Sequence, residues 1–189
     1  MFRKRKVTLK QVWPLMLLAF IGSALGACLV LMIDSQWLEP VVPFILVVIG
    51  VYFLMSPKAK DRQNVDGNQK TLGYRVYQFL AVPIVGMYDG FFGPGTGSFF
   101  TATGTSVAKM PFLQSTAIAK TLNFSTNFAA LIMFVIAGKM IWLVGFVMMF
   151  GQFLGAWLGS HMLFTLPVTL IRLLAASMCF LMVIKLVWL

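Results

Sequence analysis

One stretch of this sequence concentrates residues able to do chemistry: Gly86-Met87-Tyr88-Asp89-Gly90-Phe91-Phe92-Gly93-Pro94-Gly95-Thr96-Gly97-Ser98. Pro94 lacks an N–H and clashes with a preceding helical turn, and glycine reaches backbone angles closed to other residues. The motif therefore predicts a break in a helix. The amides from Gly95 to Ser98 then form the start of the next helix, and such starts attract anions. The chemistry in view is binding of a small anion by Gly93, Gly95, Thr96, Gly97 and Ser98. The competing reading is a proline kink whose glycines let neighbouring helices approach closely. No Lys follows the last glycine, so the motif does not read as a phosphate-binding P-loop.

Asp89 is the one acid between residue 76 and the C-terminus. An acid inside an apolar segment is expensive and is by default a functional hypothesis. It could bind or relay a proton. It could equally pair with a cation such as Lys120, or be protonated and hydrogen-bonded.

Thr116, Lys120, Asn123 and Asn127 form a second constellation. Spacings of four, three and four residues place them on one helix face. Lys120 could neutralise an anion while Asn123 and Asn127 donate hydrogen bonds to it. The alternatives are hydrogen bonding between helices and a lysine reaching to the membrane surface.

The rest of the sequence offers little further chemistry. His161 reads as a solvated residue near a helix end, and Cys28 and Cys179 read as small packing residues. Gly151, Gly155 and Gly159 read as a packing face. No nucleophile–base pair and no metal-ligand set assembles, so the reading is a non-enzyme with no cofactor and no metal.

The elements that must position these residues are helices in a membrane. Apolar residues make up 60% of the chain and charged residues 11%, against about 25% charged in soluble domains. Six apolar segments can be marked, at about 13–33, 37–55, 76–106, 115–137, 140–160 and 168–189, and a bilayer needs about 20 residues per crossing. The expected fold is all-α: a polytopic transmembrane helix bundle forming a single integral membrane domain. Within it, 13–55 reads as a helical hairpin, 56–75 as a cytoplasmic loop and 76–189 as a repeat-like half carrying the glycine motif. A cleaved signal peptide fits poorly, because the first apolar run continues through Ile33.

The third segment is too long for a simple crossing. As one helix, 76–106 would reach about 46 Å against a hydrocarbon core of about 30 Å. It is either a broken helix that crosses once or two half-helices that re-enter. The positive-inside bias does not separate the two, since each leaves nearly all Lys and Arg on one side.

The net charge of +10 does not point to nucleic acid. Arg3, Lys4, Arg5, Lys6 and Lys10 form one cluster, and Lys58, Lys60, Arg62, Lys70 and Arg75 another. Both flank apolar runs, as cytoplasmic segments do. Trp13, Trp37, Trp142 and Trp188 lie near segment ends, as an interfacial belt requires.

The run Gly86–Phe100 resembles the second glycine motif of the TauE/SafE membrane transporter family, the sulfite exporters. The stretches Ala119–Asn127 and Gly145–Gly159 look like that family's following segments, and the similarity is closest to its YfcA-like branch. The resemblance implies a multi-pass protein of the bacterial cytoplasmic membrane that moves small, often sulfur-containing, anions. It also implies two halves, each with a glycine motif, and here the front offers only Gly22 and Gly26. The chain looks like a member that starts late. The expectations are therefore a permease for sulfite, a sulfonate or a similar anion, or else a non-transporting subunit. A homo-oligomer, or a partner supplying the missing half, belongs to the same expectation.

Overall fold

The computed structural model describes residues 9–34, 36–37, 41, 43–48, 51 and 72–162, with isolated positions between 173 and 188. The basic clusters at 3–6 and 58–70, most of the loop 56–75, Cys179 and most of the last apolar segment lie outside the described residues. Every described element is helical. They are α1 (Leu9–Met32), α2 (Leu72–Val76), a π-helical turn (Tyr77–Ala81), α3 (Val82–Phe91), α4 (Thr96–Ser106), α5 (Phe112–Ile136) and α6 (Trp142–Met162).

Among the described residues, two helices are long and apolar enough to cross a membrane, Val12–Met32 and Phe112–Ile136. The chain divides into two compact units, one holding residues 1–34 and 58–136 and the other 35–57 and 137–189. The second unit contains α6, where a Cβ on Gly151 or Gly155 would meet no described atom within 4 Å. The glycine motif lies in the first unit.

In that unit α1 packs on α3 through backbone rather than side chains. A Cβ on Gly86 would stand 2.6 Å from the carbonyl oxygen of Ala19, and one on Gly90 would strike the carbonyl of Ser23. From the other side, Gly22 and Gly26 face the backbone of Pro83 and Met87. The partner numbers rise together, so α1 and α3 run parallel. Small residues spaced four apart allow this approach in a membrane, where helices associate by packing rather than by escape from water.

The third apolar segment turns back on itself. After α3 the chain reverses at Gly93–Gly95, and α4 returns alongside the π turn, bringing the residue that follows it to α2. A Cβ on Gly73, at the start of α2, would lie 2.5 Å from the carbonyl oxygen of Val107, just beyond the end of α4. The segment is thus a re-entrant pair of half-helices rather than a single crossing. Lys109, with φ of 54°, and the short connection after it turn the chain into α5. Ser115 of α5 then packs on Gly104 and donates to the carbonyl of Thr101 at 2.9 Å. α5 therefore starts on the side where α2 starts and runs parallel to α3. It ends ahead of Gly138, whose φ of 65° is the left-handed angle that closes many helices.

The core of this unit sits between α1, the hairpin and α5. Leu15, Tyr77, Val82, Phe100 and Leu122 are fully buried there. Side-chain hydroxyls tie the helices across it: Ser125 donates to the Met16 carbonyl at 2.9 Å and Ser23 to the Thr126 carbonyl at 2.7 Å.

Candidate functional site

The site is built on the hairpin tip. Gly93 and Gly95 have φ of 85° and 84°. An L side chain adopts such angles at a cost of roughly 1–2 kcal/mol, so glycine is the residue the reversal requires. Pro94 between them donates nothing, and its carbonyl accepts the Tyr88 hydroxyl at 2.9 Å. The Tyr88 carbonyl in turn accepts the amides of Phe92 at 2.8 Å and Gly93 at 3.4 Å. Tyr88 also meets Phe99 edge to face at 5.2 Å, which holds the two half-helices together above the break. These bonds satisfy the irregular backbone, as the interior of a membrane demands.

α4 begins immediately after the reversal. The Gly95 carbonyl accepts the amides of Ser98 at 2.9 Å and Phe99 at 3.3 Å. The amides of Thr96 and Gly97 precede these bonds and have no intramolecular acceptor among the described residues. Orphan donors of this kind carry the positive end of the helix dipole. A Cβ on Gly97 would meet no described atom within 4 Å, so among the described residues space lies open beside this helix start.

Asp89 is buried at the same tip. Its Oδ1 accepts the Thr96 hydroxyl at 2.7 Å, and its Oδ2 accepts the hydroxyl of Thr126 from α5. Thr96 also reaches the Gly93 carbonyl, and Thr126 reaches the Asn123 carbonyl at 3.0 Å. Ser23, bonded to Thr126, lies near the middle of the Val12–Met32 helix, about 15 Å from either end at 1.5 Å per residue. Asp89 and Thr126 are therefore level with the middle of that helix.

Of the residues the sequence nominated, Gly93, Gly95, Thr96 and Asp89 are brought together at the tip, with Gly97 and Ser98 in the first turn of α4. The polar stripe of α5 lies elsewhere. Its buried face carries Ser115, Ile118, Ala119, Leu122, Ser125, Thr126 and Ala129, whereas Lys120 and Asn127 are exposed. Asn127 donates to the Asn123 carbonyl at 2.8 Å, within its own helix. The alternative of an Asp89–Lys120 pair is not realised, because the two threonines occupy both carboxyl oxygens and Lys120 points off the buried face. Thr126 is the residue that sequence reasoning passed over. Asn123 and Asn127 drew attention to the stripe beside it, and a threonine between Ser125 and Asn127 does not stand out from its polar neighbours.

Comparison with known proteins places this geometry in context. Residues 1–186 match the family described as Sulfite exporter TauE/SafE. A "Probable membrane transporter protein" of Haemophilus influenzae is 40% identical over 186 residues, covering 98% of this chain and 71% of that protein. A "Probable membrane transporter protein ORF9" of Sinorhizobium sp is 39% identical over 84% of this chain and 59% of its own length. The Escherichia coli K12 "Probable membrane transporter protein YfcA" is 36% identical over 90% of this chain and 62% of its own length. The chain thus spans about three fifths to seven tenths of the length of these relatives. No solved structure matches it.

Proposed function

The chain belongs to the sulfite exporter TauE/SafE family of membrane transporters, and from that premise we propose that it serves as a permease for a small sulfur-containing anion, sulfite or a sulfonate, in a bacterial cytoplasmic membrane. One observation carries the reading. Among the described residues, the hairpin tip leaves the amides of Thr96 and Gly97 without an acceptor and beside open space. Broken helices in transporters present such starts to anionic groups. A sulfonate or sulfite offers several oxygens to accept these donors, and the Ser98 hydroxyl stands in the same turn.

Lys120, Asn123 and Asn127 enter the proposal as lining of the approach route. A charged residue eight positions into a membrane-crossing helix needs water or protein around it. Its positive charge would raise the local concentration of an anion. The relatives' length leaves room for further segments in the working transporter, and the other glycine motif that the family resemblance implies would be supplied by them or by a partner.

Flux of radiolabelled sulfite and isethionate into proteoliposomes tests the reading. Flux is expected, reduced at least tenfold by Gly97→Leu and several-fold by Lys120→Ala. Flux undiminished by both substitutions would remove the site assignment.

A further inference from the structure

Three side chains from three elements converge at the hairpin tip: Asp89 of α3, Thr96 of α4 and Thr126 of α5. Their oxygens make four close approaches: Thr96 to Asp89 and to the Gly93 carbonyl, Thr126 to Asp89 and to the Asn123 carbonyl. A carbonyl cannot donate, and each hydroxyl has one hydrogen. With an ionised carboxylate, two hydrogens serve four approaches. With a carboxylic acid there are three: one threonine donates to its backbone carbonyl and accepts the acid's O–H, while the other donates to the second carboxyl oxygen.

The surroundings favour the acid as well. Asp89 meets two neutral hydroxyls, and among the described residues no N–H and no cation reaches it. Facing elements offer few titratable groups. From Val12 onward α1 carries only Cys28, half-buried; α3 adds Tyr88, committed to Pro94; α4 has none; and α5 has Lys120, exposed. Arg75, Tyr74 and Tyr77 belong to the opposite end of the hairpin, and exposed Lys109 follows α4 there. A bare carboxylate at this depth would lack the partners that make one tolerable.

We propose that Asp89, Thr96 and Thr126 form a proton-binding site that is filled at neutral pH, so that an anion bound at the start of α4 meets a neutral acid. Asp89 and an anion at Thr96 and Gly97 would be two negative charges at one dry helix start, where repulsion is strong. The held proton removes that repulsion. Asp89 binds the proton; Thr126 is a positioning residue acting through it. The anion's part rests on the anion site proposed above, whereas the proton site does not.

Infrared difference spectroscopy of the full chain in lipid tests the site. The protein has five Asp and Glu side chains, so a protonated-carboxyl band can be assigned. The band is expected at neutral pH, lost in Asp89→Asn, shifted in Thr126→Val and restored in Thr126→Ser. A neutral-pH spectrum without it, or a band that survives Asp89→Asn, overturns the proton site. Isethionate keeps one charge over the working pH range, so its flux into proteoliposomes should fall once the pH is high enough to empty the site, and Asp89→Asn should abolish that fall. Wild-type flux that does not fall overturns the anion's dependence on the held proton but leaves the permease. The infrared band without flux of either anion overturns the permease reading and leaves the proton site.

Discussion

Ser23 of α1 donates its hydroxyl to the backbone carbonyl of Thr126 at 2.7 Å, across 103 residues of sequence. The side chain of that same threonine reaches Asp89. One residue of α5 is therefore held from both sides, by α1 through its backbone and by α3 through its hydroxyl. The hairpin tip is placed in depth by this chain of contacts as much as by its own turn.

Ser23→Ala removes the donor and leaves the Thr126 carbonyl to its helical bond alone. Interhelical hydrogen bonds in membranes are worth about 0.6 kcal/mol on average and up to about 1.7. Burial at Ser23 places its loss in the upper half of that range. A lowered unfolding midpoint in detergent is expected, with Asp89-dependent properties altered in parallel.

The glycines separate by position. Gly90→Ala would drive a methyl into the Ser23 carbonyl, a backbone group that cannot step aside, so a loss of about 3 kcal/mol or more is expected, at the top of the overpacking range. Gly97→Ala adds a methyl in open space inside a helix and should be neutral or stabilising by up to about 1 kcal/mol. Size-exclusion profiles and melting of the two variants should differ in opposite directions from wild type.

Gly93→Ala and Gly95→Ala test the reversal itself. Each forces a side chain to positive φ at roughly 1–2 kcal/mol. Asn tolerates this region better than Ala, so Gly95→Asn should retain more folded protein than Gly95→Ala on extraction and thermal challenge.

Re-entry makes a topological prediction. With Cys28 and Cys179 replaced, single cysteines at Leu72 and Lys109 should react with an impermeant maleimide from the same face of the membrane. Both residues are exposed, and the neighbouring Gly73 and Val107 touch. Labelling from opposite faces would require a single crossing and would contradict the hairpin.

Much of this was legible before any coordinates. The helical class follows from composition, and the break follows from Pro94 and its flanking glycines, because those residue types restrict the backbone locally. The path of the third segment was not legible, since Lys109 and its few charged neighbours weigh almost equally for both topologies. Thr126 was hidden for a different reason: its role depends on a partner 37 residues away. Gly22 and Gly26 were readable as a pair spaced four apart, as are Gly86 and Gly90, yet nothing in their spacing says that the two pairs face each other. The stripe of Lys120, Asn123 and Asn127 was legible as a face, but not which neighbour it meets.

The backbone-to-backbone seam between α1 and α3 has a mechanical consequence. With peptide groups in mutual contact at Gly22, Gly26, Gly86 and Gly90, neither helix can slide by a residue without forcing a side chain into a main chain. The pair is a stator. Among the described helices of this unit, a motion that exposes the tip first to one side and then to the other falls to α4, whose first turn borders open space there, or to α5, held to the stator through hydroxyls that can exchange partners.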